Sequence, residues 1–233
     1  MPTRATPPAT ATAPPATDEN LQIDVTIDLS SFAATDYDNA KCFCLLYPDK
    51  YRYTSAAGWY RYDEKSGIWR HDDAEASLAK DIANLLVKRQ IDAAKARKND
   101  IVVFCKPNAA RIASTRTLLE SLCHFDFLKF DQYKDHVCCK NCVIDIKTAE
   151  IHAHSPHFGF TSAMTANLNN DADERLIDEF LLKTVKGGAD VVKWLQLFSG
   201  NAVTGITSNE FATYVHGPSR AGKGTFFEAL KAL

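Results

Sequence analysis

One stretch near the C-terminal end of the sequence contains the residue types that bind nucleotide phosphates. It consists of Gly217-Pro218-Ser219-Arg220-Ala221-Gly222-Lys223-Gly224-Thr225. In a phosphate-binding loop, glycines let backbone N–H groups turn toward the β-phosphate, and the lysine ammonium reaches the β and γ oxygens. The apolar residues of 211–215 and 226–230 predict a strand before the loop and a helix after it, so that a helix N-terminus faces the same anion. The sequence predicts an ATP site in which Lys223 has the catalytic role; the alternative is a glycine-rich structural turn.

Magnesium is the second component that such a site needs. The residue directly after the lysine normally supplies the hydroxyl ligand of Mg²⁺, and here that residue is Gly224. Thr225 follows one position later, which on a helix is a rotation of about 100°. Thr225 is the candidate metal ligand, although it cannot simply take over the position that Gly224 occupies.

A second candidate metal site is the C-x-x-C pattern of Cys139 and Cys142, with His152, His154 and His157 downstream. Its spacing is poor for zinc, because eleven residues separate Cys142 from His154 and only two separate His154 from His157. Zinc sites of this type usually have about 12–15 and about 3–5 residues at these places. Alternation of apolar and polar residues over 143–146 favours a packed strand with a polar hairpin.

Basic side chains are concentrated between residues 88 and 116. They are Lys88, Arg89, Lys95, Arg97, Lys98, Lys106, Arg111 and Arg116, against the two acidic residues Asp92 and Asp100. The first five are candidate contacts to DNA phosphates, and the alternative is a solvated helix face. Trp59, Tyr60 and Trp69 have a similar pair of interpretations: rings that stack on bases, or the core of a small sheet.

Periodicity and breaker residues predict the elements that position these side chains. Residues 1–20 form a disordered tail, because 1–17 consist of five Pro, five Thr, five Ala, Met1 and Arg4. Predicted strands cover 21–29, the hairpin arms before and after the turn 63–67, and short segments within 137–146 and 149–152. Predicted helices cover 37–47, capped by Thr35, then 74–97, 109–123, 171–186 and 189–199. The helix at 109–123 is expected to bury Ile112, Leu118, Leu119 and Leu122.

Composition narrows the class of protein. Of the 233 residues, 45% are hydrophobic and 24% are charged, which is typical of globular proteins. No apolar run approaches the roughly 18 residues of a membrane-spanning helix, and no secretory signal is visible. The formal charge of −2 excludes a general positive field, so any DNA binding must be local. Seven cysteines, an odd number set mostly in apolar runs, favour free thiols in an intracellular, reducing compartment.

The sequence around the loop resembles the superfamily 3 helicases of poxvirus, giant-virus, phage and plasmid primase-helicases. The resemblance is carried by Trp194-Leu195-Gln196, Gly200-Asn201-Ala202, Thr204-Gly205-Ile206-Thr207 and Tyr214-Val215-His216-Gly217, and upstream by 141–148, His154-Ser155-Pro156, Trp59-Tyr60 and Gly67-Ile68-Trp69. Cys142 and Ala149 stand where the family usually has glycine. The resemblance implies an ATP-driven helicase that acts on DNA at a replication fork as a homo-oligomeric ring.

The resemblance also implies an arrangement of domains. An α+β accessory domain over 21–165 precedes a helical segment, 166–208, and the beginning of an α/β P-loop NTPase domain of AAA+ type, 209–233. Only 17 residues follow the start of the loop, and the later motor motifs are not among them. We therefore expect a fragment that does not hydrolyse ATP by itself, without a primase domain. Two other classes stay open: a nucleotide kinase, because Gly-Lys-Gly-Thr also resembles the adenylate kinase loop, and a remnant that binds DNA or partners.

Overall fold

The computed structural model describes residues 27–185, 188–204 and 213–232 of the chain. Within these ranges the fold is mixed, with seven α-helices and two antiparallel sheets of three strands each. The helices are α1 Asp36–Leu46, α2 Ala74–Lys95, α3 Asn99–Phe104, α4 Ala109–Leu122, α5 Arg175–Thr184, α6 Gly188–Thr204 and α7 Lys223–Lys231. The strands are β1 Tyr51–Thr54, β2 Gly58–Asp63, β3 Ile68–Arg70, β4 His136–Cys138, β5 Val143–Asp145 and β6 Ile151–His152. None of the helices described is long and apolar enough to cross a membrane.

The predicted start of α1 is confirmed by its cap. The hydroxyl of Thr35 accepts a hydrogen bond from the backbone N–H of Asp38 at 3.0 Å, which satisfies one of the free donors at the helix N-terminus. Asp36 and Asp38 add negative charge to the first turn, where the helix dipole favours it. The helix ends at Leu46, shortly before Pro48, which cannot continue it.

The largest core lies among α1, α2, α3, α4 and the first strands. On α2, Leu78, Ile82, Leu85 and Leu86 are fully buried at the spacings that the sequence predicted. The predicted range of α4 is confirmed, but the prediction of its buried residues is only partly correct. Leu119 is buried and Ile112 and Leu118 are half-buried, but Leu122 at the end of the helix is 41% exposed.

The first sheet has the order β1-β2-β3. The predicted hairpin about 63–67 is confirmed as β2 and β3, whereas the pairing of β1 with β2 was not predicted. Its register pairs Tyr53 with Trp59 and Tyr62 with Trp69. Trp59 and Trp69 are only 2% and 1% exposed, and Tyr60 is also buried. These three rings are therefore core residues of the sheet, and the alternative in which they stack on bases is wrong.

The second sheet has the order β4-β5-β6 and differs from its prediction at one turn. The segment within 137–146 contains two strands instead of one, because the chain reverses at Cys139, whose N–H donates to the carbonyl of Cys142 at 2.8 Å. The predicted turn at 147–148 is confirmed. Ala149 completes it with φ of +59°, a left-handed conformation that glycine adopts more readily.

The segment after β6 joins the two sheets. The backbone N–H of Trp69 donates to the carbonyl of Phe160 at 2.7 Å, and the indole N–H donates to the carbonyl of Pro156 at 3.0 Å. The ring of His154 is hydrogen-bonded through Nε2 to the carbonyl of Cys139 at 2.9 Å. Buried polar groups are thus paired where the sheets meet, and 154–160 holds both in place.

The predictions for four elements need correction. Leu29 begins a short 3-10 helix, Leu29–Ser31, so it does not end a strand, and 21–26 lie outside the described residues. Helix α5 begins at 175 instead of 171, and α6 continues to 204 instead of 199. The strand expected before the phosphate loop is not formed by 213–216, and 211–212 lie outside the described residues.

Candidate functional site

The loop at 217–222 leads directly into α7, as the sequence predicts. Gly222 is the N-cap residue, with φ of +80°, and its carbonyl accepts the N–H of Phe226 at 3.0 Å. Lys223 is the first residue of the helix. The first N–H groups of a helix have no acceptor within the helix, and the positive end of the helix dipole lies with them. Loop and helix N-terminus together provide the donors that an anion requires.

The side chain of Lys223 folds back over the loop. Its Nζ donates to the carbonyls of Gly217 and Pro218, at 2.8 Å each. Gly217 has φ of +155°, and a Cβ at that position would be 3.8 Å from the ammonium. Two carbonyls of the loop therefore hold the ammonium at the surface. Phosphate oxygens are charged acceptors and form stronger hydrogen bonds with an ammonium than carbonyls do, so they can replace these contacts.

The other polar residues of the motif lie at the surface. Ser219 and Arg220 are exposed, and Arg220 adopts φ of +60°. Gly224 and Thr225 are exposed and are the second and third residues of α7. The helical spacing assumed for Thr225 is thus present, and its role as a Mg²⁺ ligand stays a prediction.

A cavity of about 530 Å³ adjoins the loop. Its walls come from α5, α6, residues 213–218 and the first turn of α7. The loop residues Gly217, Pro218, Ala221, Gly222 and Lys223 form one side of it. Leu181, Val192 and Leu195 pack α5 against α6, and Phe226 packs against them from α7. The helix that follows the loop thus packs against both α5 and α6.

Arg89 was predicted to contact DNA, but it lies in the core, and this prediction is wrong. Its side chain is fully buried and donates to the carbonyls of Phe32 and Ala33 at 2.9 Å each, and to Oδ1 of Asn39. The sequence did contain a signal for this, because Arg89 continues the buried series 78, 82, 85 along α2. A buried guanidinium that is already bonded cannot reach DNA.

The other four candidates are exposed near the end of α2. Lys88 and Lys95 lie seven residues apart, on the same face of the helix. Lys95 is 3.8 Å from the carboxylate of Asp92, and its side chain is 75% exposed. Arg97 follows the helix, and Lys98 donates from Nζ to the carbonyl of Ser30 at 2.8 Å. The structure thus groups Lys88, Lys95 and Arg97 in one region, whereas Lys98 is bonded to the protein.

The cysteines of the C-x-x-C pattern are buried at the turn between β4 and β5. Burial raises the pKa of the Cys139 and Cys142 thiols, which favours the protonated form over the thiolate that binds metal. His154 contacts the backbone carbonyl of Cys139. Within the part of the chain that the structure describes, no three His, Cys, Asp or Glu side chains are grouped as a metal site.

Residues 40–186 match the family described as D5 N terminal like. The match covers more than half of the chain, and the chain belongs to this family, the N-terminal region of primase-helicase proteins. It runs from within α1 to the end of α5 and stops before the loop at 217–225, so the resemblance is confirmed only for this N-terminal region. No curated protein matches the chain.

Proposed function

We propose that the chain is a primase-helicase N-terminal region connected to an ATP-binding loop, and that it serves DNA replication. The family match supports the first part. The observation that carries the second part is the position of the Lys223 ammonium, which is bonded to two loop carbonyls at the N-terminus of α7. A cation at a helix N-terminus, behind a glycine-containing loop, suits the β and γ phosphates of a nucleotide.

In this proposal each part of the loop has a separate task. Backbone N–H groups of 222–225 bind phosphate oxygens, and Lys223 leaves the carbonyls of Gly217 and Pro218 to bind the β and γ oxygens. Mg²⁺, when bound, neutralises phosphate charge. Thr225 is the hydroxyl nearest in sequence for holding it, because Gly224 has none. Unwinding of DNA by a ring of such chains is part of the same proposal, supported by the family alone.

Binding of ATP to the 233-residue chain tests the proposal. Lys223→Ala removes a charged hydrogen-bond donor, which is worth roughly 1.5–3 kcal/mol and thus weakens ATP about 10- to 150-fold. Isothermal titration calorimetry in the presence of Mg²⁺ measures this difference. Lys231→Ala is the matched control, because it removes the same charge from the last turn of α7, where Lys231 pairs with Glu228 at 3.1 Å.

The control variant should bind ATP as the parent does. Circular dichroism and thermal unfolding of both variants show whether they are folded. Equal ATP affinity in the parent and in folded Lys223→Ala would contradict the assignment of the loop.

A further inference from the structure

We propose that the cavity beside the loop binds the nucleobase of the nucleoside triphosphate, with Trp194 as the ring on which the base stacks. This inference rests on the proposed function, because the phosphates must first occupy the loop. It adds a second half to the site, contributed by α5, α6 and the residues before the loop. The chain then recognises a nucleoside triphosphate as a whole, and not the triphosphate group alone.

The first argument is the continuity of the space. Gly222 and Lys223 border the cavity of about 530 Å³, and so do Phe180, Leu195 and Phe226. The cation and the apolar side chains therefore face the same volume. A ligand that combines an anionic group with a planar apolar ring, as a nucleotide does, suits this lining.

The second argument is the exposure of aromatic rings along the walls. Trp194 borders the cavity, is 43% exposed, and stacks on the ring of Phe198 at 5.5 Å between centroids. Tyr214 also borders it, is 86% exposed, and stacks on His216 at 5.8 Å. Exposed aromatic rings that line a pocket offer a ligand a large apolar contact area. Every nucleobase has a planar face that can stack on them.

The experiment compares ATP with inorganic triphosphate, which has the phosphates but no base. In the parent chain we expect ATP to bind about 5- to 150-fold more tightly than inorganic triphosphate, the range that base stacking on one aromatic ring gives. Trp194→Ala should remove this excess and leave the affinity for inorganic triphosphate unchanged. Leu197→Ala is the matched control, because Leu197 lies on the same helix, is 66% exposed, and is not among the residues that border the cavity.

Tryptophan fluorescence provides an independent measurement. Trp59 and Trp69 are buried in the first sheet, so ATP that stacks in the cavity changes the emission of Trp194 alone. Inorganic triphosphate should leave the emission unchanged. Tyr214→Ala is a second variant, in case Trp194→Ala does not fold. The Tyr214 side chain is 86% exposed and contributes little to stability, so this variant should fold and should also have a reduced preference for ATP.

The outcomes separate the two proposals. Equal affinity of the parent for ATP and inorganic triphosphate overturns the nucleobase site and leaves the phosphate loop standing. A loss of both ligands to the same extent in folded Trp194→Ala overturns it as well. Lack of binding of either ligand to the parent, or binding of both that Lys223→Ala does not weaken, contradicts the proposed function itself.

Discussion

Gly222 lies against Thr184, with no room between them for a side chain. A Cβ at position 222 would be 2.7 Å from Cγ2 of Thr184 and 3.3 Å from Cζ of Phe180. The backbone of Gly222 also has φ of +80°, where other residues are strained. The contact between the loop and α5 therefore depends on glycine for two independent reasons. Gly224, two residues later, is helical and has no atom within 4 Å of a Cβ position.

We predict that Gly222→Ala weakens ATP binding at least about tenfold, because the left-handed conformation costs a residue with a Cβ roughly 1–2 kcal/mol before the collision with Thr184 is added. Gly224→Ala is the control. It should bind ATP as the parent does and stabilise α7 slightly, since alanine has a higher helix propensity than glycine. Calorimetric titration of ATP into both variants decides the matter, and equal affinities would show that the loop does not need this contact.

Arg89 is expected to stabilise the fold and to have no part in DNA binding. We predict that Arg89→Met lowers the free energy of unfolding by about 3 kcal/mol or more, since it leaves the buried side chain of Asn39 and the carbonyls of Phe32 and Ala33 without their donor. Urea unfolding followed by circular dichroism measures this change.

Two further variants complete this test. Lys88→Met, at the adjacent exposed position, should change stability by no more than about 0.5 kcal/mol. Arg89→Lys should fail to restore stability, because an ammonium lacks the planar fork that reaches several acceptors at once. A stable Arg89→Met protein with weakened DNA binding would reverse the assignment.

Elements with strong local patterns were predictable from the sequence. The series of apolar residues predicts a helix over 74–97, and α2 ends only two residues earlier, at Lys95. The side chain of Thr35 caps the start of α1 as predicted. The helix Asn99–Phe104 was not predicted, because its six residues are too few to show a period and Ile101, Val102 and Val103 are β-branched residues typical of strands. Its burial against α2, through Ile101, outweighs that preference.

The candidate site was predictable only as far as the loop and the start of its helix. The motif located Lys223, but the carbonyls that hold its ammonium and the contact of Gly222 with Thr184 join residues that no short pattern connects. The segment that begins with Trp194 resembles helicases, but the position of Trp194 beside the loop follows from the packing of α5 on α6. Tertiary contacts of this kind are outside the reach of periodicity and spacing.

The stability of the fold should fall in alkaline solution, partly because of Cys42. This thiol is fully buried, and burial raises its pKa from the usual 9.0 to about 11. The unfolded chain therefore releases the proton first, and the stability that is present below about pH 9 is lost as the pH rises to 11. The loss is about 1.4 kcal/mol per pH unit for one thiol.

We predict that Cys42→Ala loses less stability than the parent between pH 8 and pH 10.5. Urea unfolding at the two pH values gives the comparison, because the other ionisable groups are the same in both proteins. Only the difference between the pH values is compared, because removal of the buried thiol lowers stability at every pH. Identical pH dependence in the two proteins would show that Cys42 does not ionise differently on unfolding.

Single-stranded DNA is the last partner to test, and the exposed group of Lys88, Lys95 and Arg97 is the surface to change. If these side chains neutralise phosphates, the affinity falls with salt, with a slope of about −0.7 for each contact in a plot of log K against log salt. We predict that reversal of all three to Glu weakens binding and makes the slope shallower by about 2. Lys98 is kept, because its ammonium is bonded to the carbonyl of Ser30.

The control for this prediction must change the net charge equally at another place. Reversal of Lys129, Lys134 and Lys140, which are exposed around the second sheet, meets that condition. Fluorescence anisotropy with a labelled oligonucleotide, over a series of salt concentrations, measures both variants. If DNA contacts the end of α2, the first variant has a lower affinity and a shallower salt dependence, and the second variant keeps the affinity and salt dependence of the parent. If both variants lose affinity equally, the effect belongs to net charge, and the basic residues of 88–97 form only a solvated helix face.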